Sequence, residues 1–71
     1  QIGNNVHIGP GAVLSGSVSV GDRVHIDTGA IVIQNIHIAD DSVIGAGAVV
    51  TRDIARHQIV YPARSQVQDR S

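Results

Sequence analysis

The 71-residue chain has a formal net charge of −1, a single aromatic residue, and no Cys, Met, Phe or Trp. Without a basic stripe or stacking aromatics it does not read as a nucleic-acid binder; without cysteine it can form neither disulfides nor thiolate metal sites; and it has no apolar run long enough for a membrane-spanning helix. Its apolar residues are almost all Val, Ile and Ala, set among eight glycines, a composition suited to strands and tight turns in one small, marginally stable domain.

From the first residues onward the chain keeps a six-residue beat. Aliphatic residues stand at Ile2, Ile8, Leu14, Val20, Ile26, Val32, Ile38, Ile44 and Val50. A second column, mostly small or β-branched, follows at Val6, Ala12, Val18, Val24, Ala30, Ile36, Ser42, Ala48 and Ile54. Between the columns lie turn pairs such as Asn4-Asn5, Pro10-Gly11, Asp22-Arg23, Thr28-Gly29 and Ala46-Gly47. Gly, Asn or Asp fills most of the second turn position, as a repeated positive φ requires. Each hexapeptide therefore reads as a short strand and a corner, with Val6 and Ile8 pointing inward and His7 and Gly9 outward. Three sides close a coil of 18 residues, and the next coil stacks about 4.8 Å away with parallel pairing. The predicted fold is all-β, a parallel β-helix of three coils over residues 1–55, followed by a short tail over residues 56–71. An ordinary all-β domain would alternate but would not hold one six-residue phase over nine repeats.

The outward residues separate by side. One side carries Val13, Ile31, Ile33 and Val49, an apolar patch on a very small protein. It predicts burial against further copies of the chain in a cyclic homo-oligomer, a homotrimer. A second side carries His7, Gly9, His25, Asp27, Val43 and Gly45, and the third carries Ser19, Gly21, His37, Ala39 and Ala55. The chain starts at Gln1 in mid-pattern and contains no Met, so it is expected to be a C-terminal fragment of a longer protein. The expected location is cytoplasmic.

The hexad, together with "GNNVHIGPGAVLSG", "IADDSVIGAGAVVTRD" and "GAGAVVTRDI", resembles the bacterial transferase hexapeptide family, whose members are left-handed β-helix acyltransferases working as trimers. The resemblance covers residues 2–64. It is the sole source of the left hand, since the general crossover rule favours the right. Within the family the chain is most similar to the branch that acetylates sialic acids or the amino group of nucleotide-linked 4-amino-sugars. The implied activity is acetyl transfer from acetyl-CoA, as co-substrate, to an amino-sugar or sialic acid. In that branch a nucleotide-sugar-binding domain and the general-base histidine with its acidic partner precede the residue matching His7. Those positions would fall before Gln1.

Acetyl transfer needs a base for the nucleophile's proton and donors for the oxyanion on the thioester carbonyl. The resemblance gives His7 the acetyl-contacting role and matches Gly16 to a glycine whose N–H faces the thioester. It also implies that the pantetheine arm runs between neighbouring subunits along a groove, with main-chain contacts from the positions of Thr28 and Ala46. The residues themselves point the same way, because the glycines stacked at that corner let a ligand approach the backbone closely. Arg64, in Val60-Tyr61-Pro62-Ala63-Arg64, matches a basic residue near the CoA phosphates, although the family's preceding Gly-Asn is replaced here. His25 stands above His7 with Asp27 as outward neighbour, an arrangement that can be read as a base with an orienting carboxylate; the family does not place its base there. His37 and His57 read as surface residues, and the last residues, 65–71, as a polar tail.

Two other functions compete. One is a non-catalytic trimeric scaffold or CoA-binding module lacking the general base. The other is a γ-type carbonic anhydrase of the same fold, but its His-x4-His zinc pair is missing from this sequence, so no metal site is expected. An ice-binding surface is disfavoured because Thr28 and Thr51 form no threonine array.

Overall fold

A computed structural model describes residues 1–62 of the chain. Nine strands of two residues succeed one another: β1 (His7–Ile8), β2 (Val13–Leu14), β3 (Ser19–Val20), β4 (His25–Ile26), β5 (Ile31–Val32), β6 (His37–Ile38), β7 (Val43–Ile44), β8 (Val49–Val50) and β9 (Ile59–Val60). They form three parallel sheets, ordered β1-β4-β7-β9, β2-β5-β8 and β3-β6. From the first coil to the second, strand residues lie over those 18 positions on: His7 over His25, Val13 over Ile31, Ser19 over His37. The six-residue spacing thus builds a three-sided parallel β-solenoid of about three turns.

The corners account for the spacing. Asn5, Gly11, Ser17, Arg23, Gly29, Asn35, Asp41 and Gly47 all have φ between 56° and 73°, so the second corner residue of each hexad is left-handed as far as Gly47. Glycine adopts this conformation freely and Asn or Asp at small cost, whereas Ser17 and Arg23 adopt it against their preference. Corner amides then bond straight up the stack, as in Gly29 N–H to the Pro10 carbonyl (3.0 Å) and Gly47 N–H to the Thr28 carbonyl (2.9 Å).

Inside, both aliphatic columns fuse into one thin core of Val18, Val20, Val24, Ile26, Ala30, Val32, Ile36, Ile38, Ile44, Ala48, Val50 and Ile54. Burying one isoleucine is worth about 2 kcal/mol, and Ile26, Ile38 and Ile44 are fully covered. Ile8, in the same column but with a coil on one side only, remains 42% exposed.

The ruler slips once. Ile54 bridges Ile38 and Ile59 pairs with Val43, separations of 16 rather than 18, so the corner at Thr51-Arg52-Asp53 is two residues short. Ile54 was expected to continue the column of Val18 and Ile36; it takes the place above Ile38 instead. The solenoid also continues through Val60, past residue 55 where the tail was expected to start. Two side chains bridge the irregularity. The Asp53 carboxylate accepts the His37 N–H (2.9 Å), a role that a strand carbonyl fills elsewhere, and the fully buried Ser42 hydroxyl donates to the Ala55 carbonyl (2.8 Å).

Another corner carries a charged file. The Arg23 guanidinium donates to both carboxylate oxygens of Asp41, at 2.7 and 3.1 Å, and His57 Nε2 lies 4.0 Å from Asp41. The hydrogen bond from Arg23 holds the Asp41 carboxyl below its ordinary value, and the same bond raises Arg23 above its own. The pair is solvent-exposed, so its net contribution is small. A carboxyl with a lowered folded-state pKa stabilises above the ordinary carboxylate range and loses that contribution as pH falls through its lowered value. Thermal unfolding of Asp41→Asn is therefore expected to lie below that of the parent at neutral pH, with the difference closing in acid. A second pair of variants separates the two uses of glycine. A Cβ on Gly9 would lie 2.7 Å from the Thr28 N and 2.9 Å from the Asp27 C, whereas one on Gly29 meets nothing within 4 Å. Gly29→Ala should cost about 1 kcal/mol for its φ alone, and Gly9→Ala more, in denaturant unfolding.

Candidate functional site

The face of β1, β4, β7 and β9 carries an outward file of His7, His25, Val43 and Ile59. The imidazoles of His7 and His25 stack with centroids 4.5 Å apart and planes 15° from parallel. Register alone requires their Cα atoms to coincide up the axis; the ring stack also limits how His7 can turn. His7 is exposed and His25 half-buried, so the outer ring is the accessible one.

Asp27 does not orient His25. Its carboxylate accepts the Thr28 N–H at 2.7 Å, closing a tight turn on the adjacent residue. The His-Asp reading of this pair is thereby corrected: the carboxylate serves the corner.

That corner runs up the axis as Pro10, Thr28 and Ala46, each followed by a left-handed glycine. Its main-chain groups are not equivalent. Pro10 has no N–H, and its carbonyl is bonded by Gly29. Thr28 has its N–H bonded by Asp27 and its carbonyl by Gly47. Among the described residues, neither main-chain group of Ala46 has a hydrogen-bond partner, and Ala46 is exposed. Among the described residues, a ligand lying along this corner therefore finds a main-chain donor at Ala46 that it does not find at Thr28.

Of the expected site residues, His7, Thr28 and Ala46 share one face and its edge. Gly16 lies at the corner beyond β2, across the sheet β2-β5-β8, so a single chain does not bring it beside His7. Arg64 lies outside the described residues. The expected assembly face, also on that sheet, leaves Val13, Ile31 and Ile33 exposed and Val49 56% exposed. His37 accepts or donates a 2.7 Å hydrogen bond with the Ser19 hydroxyl on the third side, away from the other histidines. Among the described residues no three His, Asp or Glu side chains gather as a metal site, and no helix is long and apolar enough to cross a membrane. The Asp27 cap escapes sequence reasoning because an outward Asp beside an outward His reads equally as a pair. Its signal is the Asp-Thr-Gly corner, where a short carboxylate reaches its neighbour's amide. By amide exchange, Thr28 is expected to be protected relative to Ala46, and Asp27→Ala should remove most of that difference.

The six-repeat bacterial transferase hexapeptide model matches residues 1–29 and 17–52. Among solved structures, the chain is similar to the H141A mutant of GDP-perosamine N-acetyltransferase from Caulobacter crescentus in complex with CoA and GDP-perosamine, at 41% identity and a TM-score of 0.80, over 82% of this chain and 28% of that one. It is also similar to serine acetyltransferase isoform 3 from Entamoeba histolytica in complex with cysteine, at 29% identity and a TM-score of 0.85, over 97% of this chain and 27% of that one. A maltose O-acetyltransferase from Clostridium difficile shares the fold at 21% identity and a TM-score of 0.53, over 83% of this chain and 60% of that one. No curated protein sequence matches significantly. The chain thus spans under a third of the length of the first two enzymes. Since the hexapeptide match runs across most of the solenoid, over the same repeats that set its corners, the chain belongs to the bacterial transferase hexapeptide family.

Proposed function

We propose that this chain is the donor-binding β-solenoid of an acetyl-CoA-dependent acetyltransferase that acts on an amino-sugar or sialic acid. The observation that carries the reading is the 41% identity over 82% of the chain to an N-acetyltransferase in complex with CoA and a nucleotide-linked amino-sugar. The geometry supports it. The acceptor's amine or hydroxyl attacks the thioester carbonyl, negative charge gathers on that oxygen, and the thiolate of CoA leaves. In this reading an imidazole N–H of His7, whose ring is exposed and stacked on His25, stabilises the oxygen. The main-chain N–H of Ala46, which has no partner among the described residues, holds the arm of the donor along the corner. The proton of the acceptor passes to a general base as the new bond forms. Gly16 and Arg64 complete the donor site from a neighbouring copy and from the tail.

That arrangement needs an assembly. A homotrimer packed through Val13, Ile31, Ile33 and Val49 brings the Gly16 corner of one copy toward the Ala46 corner of the next, and the protein works in the cytoplasm. A second reading, donor binding without transfer, is favoured by one observation: Asp27 is committed to Thr28, so His25 lacks the carboxylate that would orient it as a base.

Calorimetry with acetyl-CoA and light scattering on one sample test the proposal. The expected result is micromolar binding by a trimer, weakened at least several-fold by His7→Ala and by Ala46→Phe. Val49→Asp should lower the mass to that of a monomer. A monomeric parent chain sinks the assembly, and a trimer that ignores acetyl-CoA leaves only a scaffold.

A further inference from the structure

Tyr61 is the only aromatic residue in the chain and is 75% exposed. One exposed apolar residue is ordinary; the interest lies in where this one stands. The Gly45 N–H donates to the Val60 carbonyl at 2.8 Å, which sets Tyr61 over Gly45. A Cβ on Gly45 would lie 3.5 Å from Pro62 Cδ and 3.9 Å from Tyr61 Cα. Tyr61 therefore tops the column Gly9, Asp27, Gly45 and adjoins the Ala46 corner, on the same face as His7. Val43 and Ile59, both exposed, lie beside it. Its level is three coil steps from that of His7, about 14 Å at the spacing of parallel strands, and Ala46, whose N–H has no partner among the described residues, falls between the two.

We propose that Tyr61 is a stacking plane for the purine base of a nucleotide-bearing thioester donor whose acyl end lies at His7. This rests on the donor-binding reading above and assigns the other end of the same ligand. An extended phosphopantetheine arm is long enough to run from the level of His7 past Ala46 to that of Tyr61. A phenol ring at that end presents a flat, weakly hydrated surface to a base. Neighbouring Val43 and Ile59 exclude water from its edge, and base stacking on such a ring does not depend on hydrogen-bond readout.

The chain has no Trp and one Tyr, so its ultraviolet emission reports on Tyr61 alone. CoA is expected to quench that emission on binding, while pantetheine, which lacks the nucleotide, leaves it unchanged. In calorimetry Tyr61→Ala should weaken CoA about ten-fold and Tyr61→Phe should retain most of the affinity, with pantetheine bound equally by all three chains. The exposure of Tyr61 makes both variants compatible with folding, which far-ultraviolet circular dichroism checks. CoA bound with no quenching, or equally well by Tyr61→Ala, overturns the stacking role and leaves the donor reading standing. Failure of the parent chain to bind either CoA or pantetheine removes the donor reading and the stacking role together.

Discussion

Parallel stacking of coils requires each corner to return the chain to the same height and phase, and the left-handed second corner residue is what achieves it. With φ near 60–70° at that position from Asn5 to Gly47, amides at successive levels meet carbonyls directly above or below them. Strands of only two residues could not persist alone. Here the strands of the middle coil are held by neighbours on both sides and those at the ends by one, and the pairing joins residues a full coil apart. The thin core follows from the same constraint, because one inward aliphatic per strand stacks on its equivalent, as Ile26 does on Ile44. No large side chain is needed to fill a prism this narrow.

The stacking also turns outward residues into files, and the chemistry lies on those files. His7 over His25 becomes a ring stack, and Arg23 over Asp41 becomes a bidentate ion pair. Val13, Ile31 and Val49 become one apolar stripe. Because the core uses only inward positions, the outward ones can change without disturbing the fold. The corner files are subtler. Pro10, Thr28 and Ala46 have the same backbone shape, yet their hydrogen-bonding capacity differs with the residue before or at the corner. Asp27 closes off Thr28, while Gly45 has no side chain with which to close off Ala46.

The shortened corner at Thr51-Arg52-Asp53 changes what the last coil presents. In a continued 18-residue frame Tyr61 would stand over Val43; with two residues missing, Ile59 takes that place and Tyr61 moves over Gly45, next to the Ala46 corner. The contraction is tolerated because Asp53 and Ser42 supply side-chain hydrogen bonds where the ladder loses its phase. Among the described residues, a cleft beside this corner is lined by Val50, Ile54 and Val60 among others.

The sequence by itself determined the solenoid, its three sides and the identity of its outward files, because a six-residue period in aliphatic and turn residues leaves one way to bury the aliphatics together. It also placed His7 and His25 in one column, and Thr28 and Ala46 at one corner. Tertiary structure alone decided which groups are engaged. A hydrogen bond such as Asp27 to Thr28, a ring stack such as His7 on His25, and a two-residue change of register at one corner each depend on distances that periodicity does not encode. Residue order along a strand fixes which way a side chain faces; only the packed coil fixes what it meets there.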